Sequence, residues 1–140
     1  MTRYLLDTNI VSEPTRPRPD ERVVRLLHAH EGEVSIASVV WHELSVGVER
    51  LPPGRRRDAL ARYLADVVRP AMPVLPFDAA AAEWLAVERA RLESSGLTRP
   101  FADGMVAAVA ATQGLTLVTR NVRDFDRFAG LVVEDWFGAA

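Results

Sequence analysis

Residues 100–125 read PFADGMVAAVAATQGLTLVTRNVRDF. Pro100 suits the first turn of a helix, where its fixed φ is already helical and its missing N–H is not needed. An alanine-rich apolar stretch carries that helix to about Gln113, and Gly114 is its natural stop. Leu115–Val118 (LTLV) follows as a short run with no polar alternation, the pattern of a strand covered on both faces. TRNVRDF (119–125) then leaves the strand with Asp124 in its loop. A helix feeding a buried strand that ends in an acidic loop is the repeating unit of a parallel α/β sheet.

The rest of the chain fits that unit. Arg3–Leu6 (RYLL) is an apolar run ending at Asp7 and reads as a buried strand. Asn9 to Glu13 can form one helical turn, and the prolines of PTRPRP (14–19) break it into a surface loop. A helix is expected at about 21–30, with Val23, Val24, Leu26 and Leu27 on its apolar face. Glu33–Ile36 (EVSI) reads as the second strand, and 38–50 as a helix with Val40, Leu44 and Val48 at fourfold spacing. Leu51-Pro52-Pro53-Gly54 stops it. A helix over 55–69 opens with Arg55, Arg56 and Arg57. The prolines bracketing MPVLPF (72–77) put that strand near a sheet edge. Asp78 is an N-cap for a helix over 79–94, and Leu131–Val133 is a last short strand. The expected architecture is one domain over 1–140, α/β in class, a three-layer α/β/α sandwich on a mostly parallel central sheet of four to five strands.

Composition removes whole classes of chemistry. All 17 basic residues are arginine, and lysine and cysteine are absent. Without cysteine there are no disulfides, thiol nucleophiles or cysteine-ligated zinc. Without lysine there is no P-loop and no Schiff base. No apolar run approaches the ~18 residues of a membrane span. MTRYLLDTN is too short an apolar stretch for a signal peptide, so a cytoplasmic protein is expected. His42-Glu43 could open H-E-x-x-H, but the fifth position is Val46, which excludes that zinc motif.

What remains is carboxylate chemistry. Asp7 and Asp124 lie just beyond strands, while Glu43 and Asp103 lie in the first turns of helices that follow them or open near Pro100. In open α/β sheets ligands bind beyond the carboxyl ends of the strands. Four carboxylates gathered there would raise one another's pKa and call for a counter-cation. Oxygen-only ligation favours Mg²⁺ or Mn²⁺, and such an ion activates water against a phosphodiester. Each acid also has an ordinary reading when taken alone. Asp7 could cap a turn, Asp103 could complement a helix dipole, and Glu43 and Asp124 could be solvated. Setting the four aside leaves 15 acids against 17 arginines, so the net −2 averages an acidic site over a mildly basic body.

These motifs resemble those of the PIN-domain family, in particular its VapC-type toxins. LLDTNIVSE (5–13), SVVWHEL (38–44), RPFADGMVAAVA (99–110) and LVTRNVRDF (117–125) match the family's four motifs in order. The resemblance implies a Mg²⁺- or Mn²⁺-dependent endoribonuclease whose catalytic and metal-binding acids are Asp7, Glu43, Asp103 and Asp124. Asp7 and Asp103 would be the direct ligands. Thr8, Thr119 and Asn121 would hydrogen-bond the scissile phosphate or orient carboxylates. Some members carry an aspartate where this chain has Asn121, which leaves more weight on Asp124.

The implied partners are RNA as substrate, a cognate VapB-type antitoxin, and DNA only through that antitoxin. The resemblance also implies a homodimer, for which the helix bearing Trp84, Leu85, Val87 and Leu92 could supply an interface or could equally face the core. Arg55, Arg56 and Arg57 could reach RNA phosphates or form an ordinary solvated run. One alternative is a FitB-like partner of a DNA-bound antitoxin with little nuclease activity. Another is a haloacid-dehalogenase-type phosphatase. That pattern wants a second aspartate at the position of Asn9 and also uses a lysine.

Overall fold

A computed structural model describes residues 1–138; positions 139 and 140 of the expected 1–140 domain lie outside the described residues. Five parallel strands form one sheet in the order β3-β2-β1-β4-β5, with β1 Tyr4–Leu6, β2 Val34–Ala37, β3 Val74–Leu75, β4 Thr116–Val118 and β5 Val133–Glu134. Central β1 pairs Leu5 with Ser35 on one side, and Leu5 with Leu117 and Leu6 with Val118 on the other. Leu5, Leu6, Ile36, Leu117 and Val118 are fully buried, as continuous apolar strands covered on both faces should be. The expected sheet is present and all of its pairings are parallel.

The strand order carries the functional consequence. From β1 the chain steps outward through β2 to β3, then returns across the sheet to β4 and β5 on the other side. Connections therefore leave β1 and β4 in opposite directions, which opens a crevice beyond their carboxyl ends. The Asp7 N–H donates to the Val118 carbonyl at 2.9 Å and fixes the two strand ends side by side.

The helices follow from the sequence with informative departures. α1 (Thr8–Val11) is one turn capped by Asp7, α2 is Glu21–Ala29 and α3 is Ser38–Glu49. Arg55–Tyr63 (α4) continues through a widened turn at Leu64–Val68 into α5 (Arg69–Ala71). In that turn the Arg69 N–H reaches the Leu64 carbonyl, five residues back. Pro70 explains the departure from a regular helix, because it cannot donate to a carbonyl in the preceding turn. The last strand sits at Val133–Glu134 rather than 131–133, with Leu131 packed against the core instead.

α6 (Ala79–Ser94), capped by Asp78, and α7 (Phe101–Gln113), ended by left-handed Gly114, fill the largest helix–helix contact. Of the residues suggested for an interface, Leu85 and Leu92 are buried, whereas Val87 is 69% exposed. Gly104 lets the two helices close. A Cβ there would stand 2.8 Å from Leu85 Cδ1, tighter than real contacts allow. Alanine can be met by a shift of the Leu85 side chain, but the two γ-methyls of valine cannot. Gly104→Val should therefore cost about 1–3 kcal/mol as overpacking, read as a lower thermal midpoint.

Candidate active site

Asp7 is the centre of the site. It ends β1, so the strand fixes its backbone, and its Oδ1 accepts the Thr8 N–H at 2.8 Å as the cap of α1. Its Oδ2 accepts the hydroxyl of Thr119 at 2.8 Å. Thr119 follows β4 and is fully buried, so the two central strands hold this carboxylate between them. The capping role and the site role are the same geometry. Burial pushes the Asp7 carboxyl above its ordinary range, the bonds from Thr119 and Thr8 pull it back, and the charges of Glu43 and Asp124 push it up again.

The other acids arrive from three directions. Glu43 stands in α3, which begins directly after β2, and its Oε2 accepts the Thr8 hydroxyl at 2.8 Å. Its apolar neighbours Val39, Val40 and Leu44 turn into the core, while Glu43 itself is exposed. Asp103 lies in the first turn of α7, half-buried, and is pushed up to about 6. Its burial is the main cause; Asp7, Asp124 and Glu43 add to it and Arg99 opposes it. Asp124 closes the short turn Val122–Asp124 beyond β4 and is exposed. Asp7 thus feels the charges of Glu43 and Asp124, and Asp103 feels those of the other three.

The smaller polar residues divide by role. Thr8 and Thr119 each hold one acid. Asn121 contributes its backbone N–H, which donates to the Thr119 hydroxyl at 3.1 Å, and its side chain is solvent-facing. Asn9, absent from the expected site set, ties the two strand ends. Its Nδ2 lies 3.5 Å from Thr119 Oγ1, and its Oδ1 accepts the Arg120 N–H at 3.1 Å. Its position two residues after Asp7 was the available signal. Of the arginine triplet, Arg57 is spent on Glu49 and the Leu51 carbonyl, and Arg55 and Arg56 are exposed.

The donor set suits a hard divalent cation by chemistry, being all carboxylate and hydroxyl oxygen. Among the described residues no three acidic or imidazole groups close on a single point.

The Thr119 hydroxyl is the most consequential small group. Thr119→Ala removes the donor to Asp7 and leaves the Asn121 N–H without its acceptor. We expect catalysis to fall about 10–100-fold, in line with loss of a group that orients a ligand. Thr119→Ser should restore most of it in the same turnover assay.

Comparison with known proteins decides the family. The family model described as PIN domain matches residues 4–131. The chain belongs to the PIN-domain family. Among curated relatives, this PIN domain is 36% identical to "Toxin FitB" of Neisseria gonorrhoeae, over 94% of this chain and 97% of that protein. It is 35% identical to "tRNA(fMet)-specific endonuclease VapC" of Shigella flexneri, over 97% of this chain and 99% of that one. Among solved structures, "Structure of FitAB bound to IR36 DNA fragment" matches with a TM-score of 0.89 at 31% identity, covering 98% of this chain and 97% of that one. VapC-type ribonuclease toxins are thus close homologues of this PIN domain.

Proposed function

We propose that this PIN domain is a Mg²⁺- or Mn²⁺-dependent endoribonuclease and the toxic member of a toxin–antitoxin pair. The observation that carries the reading is the gathering of Asp7, Glu43, Asp103 and Asp124 at the switch point, with Asp7 and Asp103 pushed above the usual carboxylate range. Such a cluster is costly unless a cation shares it. Asp7 and Asp103 would hold the ion, with Glu43 and Asp124 beside it. When bound, the ion polarises the phosphodiester and makes water a stronger nucleophile.

The protein's own groups do the remaining work. Thr119 and the Thr8 N–H clamp both Asp7 oxygens, so the carboxylate cannot rotate away from the pocket. Thr8 holds Glu43 through Oε2, leaving Oε1 to accept a proton from the attacking water. The water oxygen then forms a bond to phosphorus as the bond to the departing ribose oxygen breaks, and that oxygen takes a proton from solvent.

The test is RNA cleavage by highly purified protein. Activity should vanish with a chelator and return with Mg²⁺ or Mn²⁺; cleavage indifferent to chelation would overturn the reading. By the same likeness, the partners would be a VapB-type antitoxin and a second copy of the chain, with DNA reached only through the antitoxin. The likeness to FitB within a DNA-bound complex favours one second reading, an antitoxin-binding partner with little nuclease activity. Growth arrest on expression that disappears in Asp7→Asn selects the nuclease; arrest that persists selects the second.

A further inference from the structure

Beside the acidic pocket lies a second polar surface of opposite sign. A cleft lined by Glu13, Arg16, Arg18, Asp20, Arg120 and Phe137 opens widely to solvent. Arg22 borders it, donating to the Phe137 carbonyl at 3.0 Å. Its two acids are engaged by backbone N–H groups. Glu13 is buried and accepts the Asp20 N–H at 2.8 Å. Asp20 accepts the N–H groups of Val23 at 3.0 Å and Gly138 at 3.1 Å. The arginines are freer. Arg16 stands 3.9 Å from Glu13, a loose pairing at 63% side-chain exposure. The Arg120 guanidinium lies over the Phe137 ring, 4.5 Å from its centroid.

The cleft is tied to the site through the backbone. Arg120 follows Thr119, the residue that holds Asp7, and the Arg120 N–H bonds to Asn9. The turn Glu13–Thr15, directly after α1, delivers Arg16 from the other strand end.

We infer that Arg16, Arg18 and Arg120 with Phe137 form a guide for single-stranded RNA. In it, phosphates flanking the scissile one bind the guanidinium groups and a base stacks on the Arg120–Phe137 pair. This rests on the ribonuclease reading. Arginine matches phosphate in fork geometry, and flat guanidinium and aromatic faces are platforms for unpaired bases. An acidic protein segment would use the charges but not the platform, and it would meet the pocket acids at the cleft's end. An RNA strand uses both and delivers its next phosphate to the pocket.

The test uses the full chain and a 5′-labelled, mixed-sequence single-stranded RNA of about a dozen nucleotides, a length chosen to cover the pocket and one neighbouring groove. Binding is followed by anisotropy in an Asp103→Asn background, with cleavage followed in the parent. Arg16→Ala/Arg18→Ala/Arg120→Ala should weaken binding about tenfold or more. It should also flatten the dependence of log K on log salt by roughly 0.7 per lost phosphate contact. Arg120→Lys, which keeps charge and loses the flat face, should keep the salt slope and still bind more weakly. The triple variant should cut a dinucleoside monophosphate, which has no flanking phosphate to place in the cleft, as fast as the parent, while losing on the longer RNA.

Unchanged binding and salt slope in the triple variant, with a parent that cuts RNA, would overturn the guide and leave the nuclease reading intact. A parent that cuts no RNA under any divalent cation fails the nuclease reading itself. If the triple variant keeps RNA affinity but loses affinity for a poly-glutamate peptide, the cleft is a protein-docking surface and the inference is wrong.

Discussion

Asp7→Asn is expected to abolish the proposed RNA cleavage while leaving the fold in place. The asparagine is nearly isosteric and its Oδ1 can still accept the Thr8 N–H that caps α1. Its Nδ2 would face a Thr119 oxygen that already accepts the Asn121 N–H and lies near Asn9 Nδ2, so this one bond weakens. The change therefore removes the negative charge and one carboxylate oxygen while the cap of α1 stays. Loss of a preorganised electrostatic group at a reacting centre typically costs on the order of 10³-fold, about 4 kcal/mol of barrier. The check is paired: initial rates of RNA cleavage in saturating Mg²⁺ or Mn²⁺, and a thermal melt of the same preparation. A variant that retains more than about a tenth of the parent rate, a loss of only ~1.4 kcal/mol, would remove Asp7 from the centre of the mechanism.

That prediction could be framed from the sequence because the strands around Asp7 were legible. RYLL is a short run ending at Asp7 and LTLV one leading into TRNVRDF, and short, mostly apolar runs suit the strands of a sheet covered on both faces. The same rule placed Thr119 and Asp124 beyond β4. Gly114 and Asp78 marked helix limits because each satisfies backbone groups that a helix leaves open, and the structure uses both that way.

Other features leave no local trace. Glu43 sits among bulky apolar residues in sequence, yet it is exposed, at the rim of the helix face that buries Val39, Val40 and Leu44, where it meets Thr8. Proximity along the chain says little about burial when the period is near 3.6 residues. Glu88 is buried, held by Arg91 and by the Ala129 N–H at 2.6 Å, a partner 41 residues away that no window would reveal. His30 gives no sign of its setting in the sequence. It stacks on Trp136 at 5.4 Å and meets Glu33 at 2.9 Å, because the chain after β5 brings Trp136 over β1. The arginine cleft is equally non-local, joining residues 13–20 to 120 and 137.

Asp103→Asn is expected to make the metal-free protein more stable while destroying its activity. The native Asp103 carboxyl sits at about 6, against an ordinary 3.8. A raised native pKa means the folded chain binds a proton that the unfolded chain has released. Stability from this group is therefore present below about pH 4, lost as pH rises through about 6, and absent at pH 7 to 8, where folding must hold an ionised Asp103. The shift alone corresponds to about 3 kcal/mol; discounted for the solvent that screens a half-buried group, about 1–2 kcal/mol is the fair expectation. Asparagine removes that burden at neutral pH. In chelator at pH 7.5 the variant should melt about 4–8 °C above the parent, and the gap should close as pH falls toward 4. A divalent cation should reverse the order. On the proposed reading it would bind the native parent and stabilise it by mass action, about 2.7 kcal/mol at a hundred times its dissociation constant, whereas the variant would lack a proposed ligand. Melts of both proteins with and without Mn²⁺, across that pH range, check all three statements. A variant no more stable than the parent in chelator would mean that Asp103 bears no such charge burden, and with it would go the electrostatic case for a cation at this site.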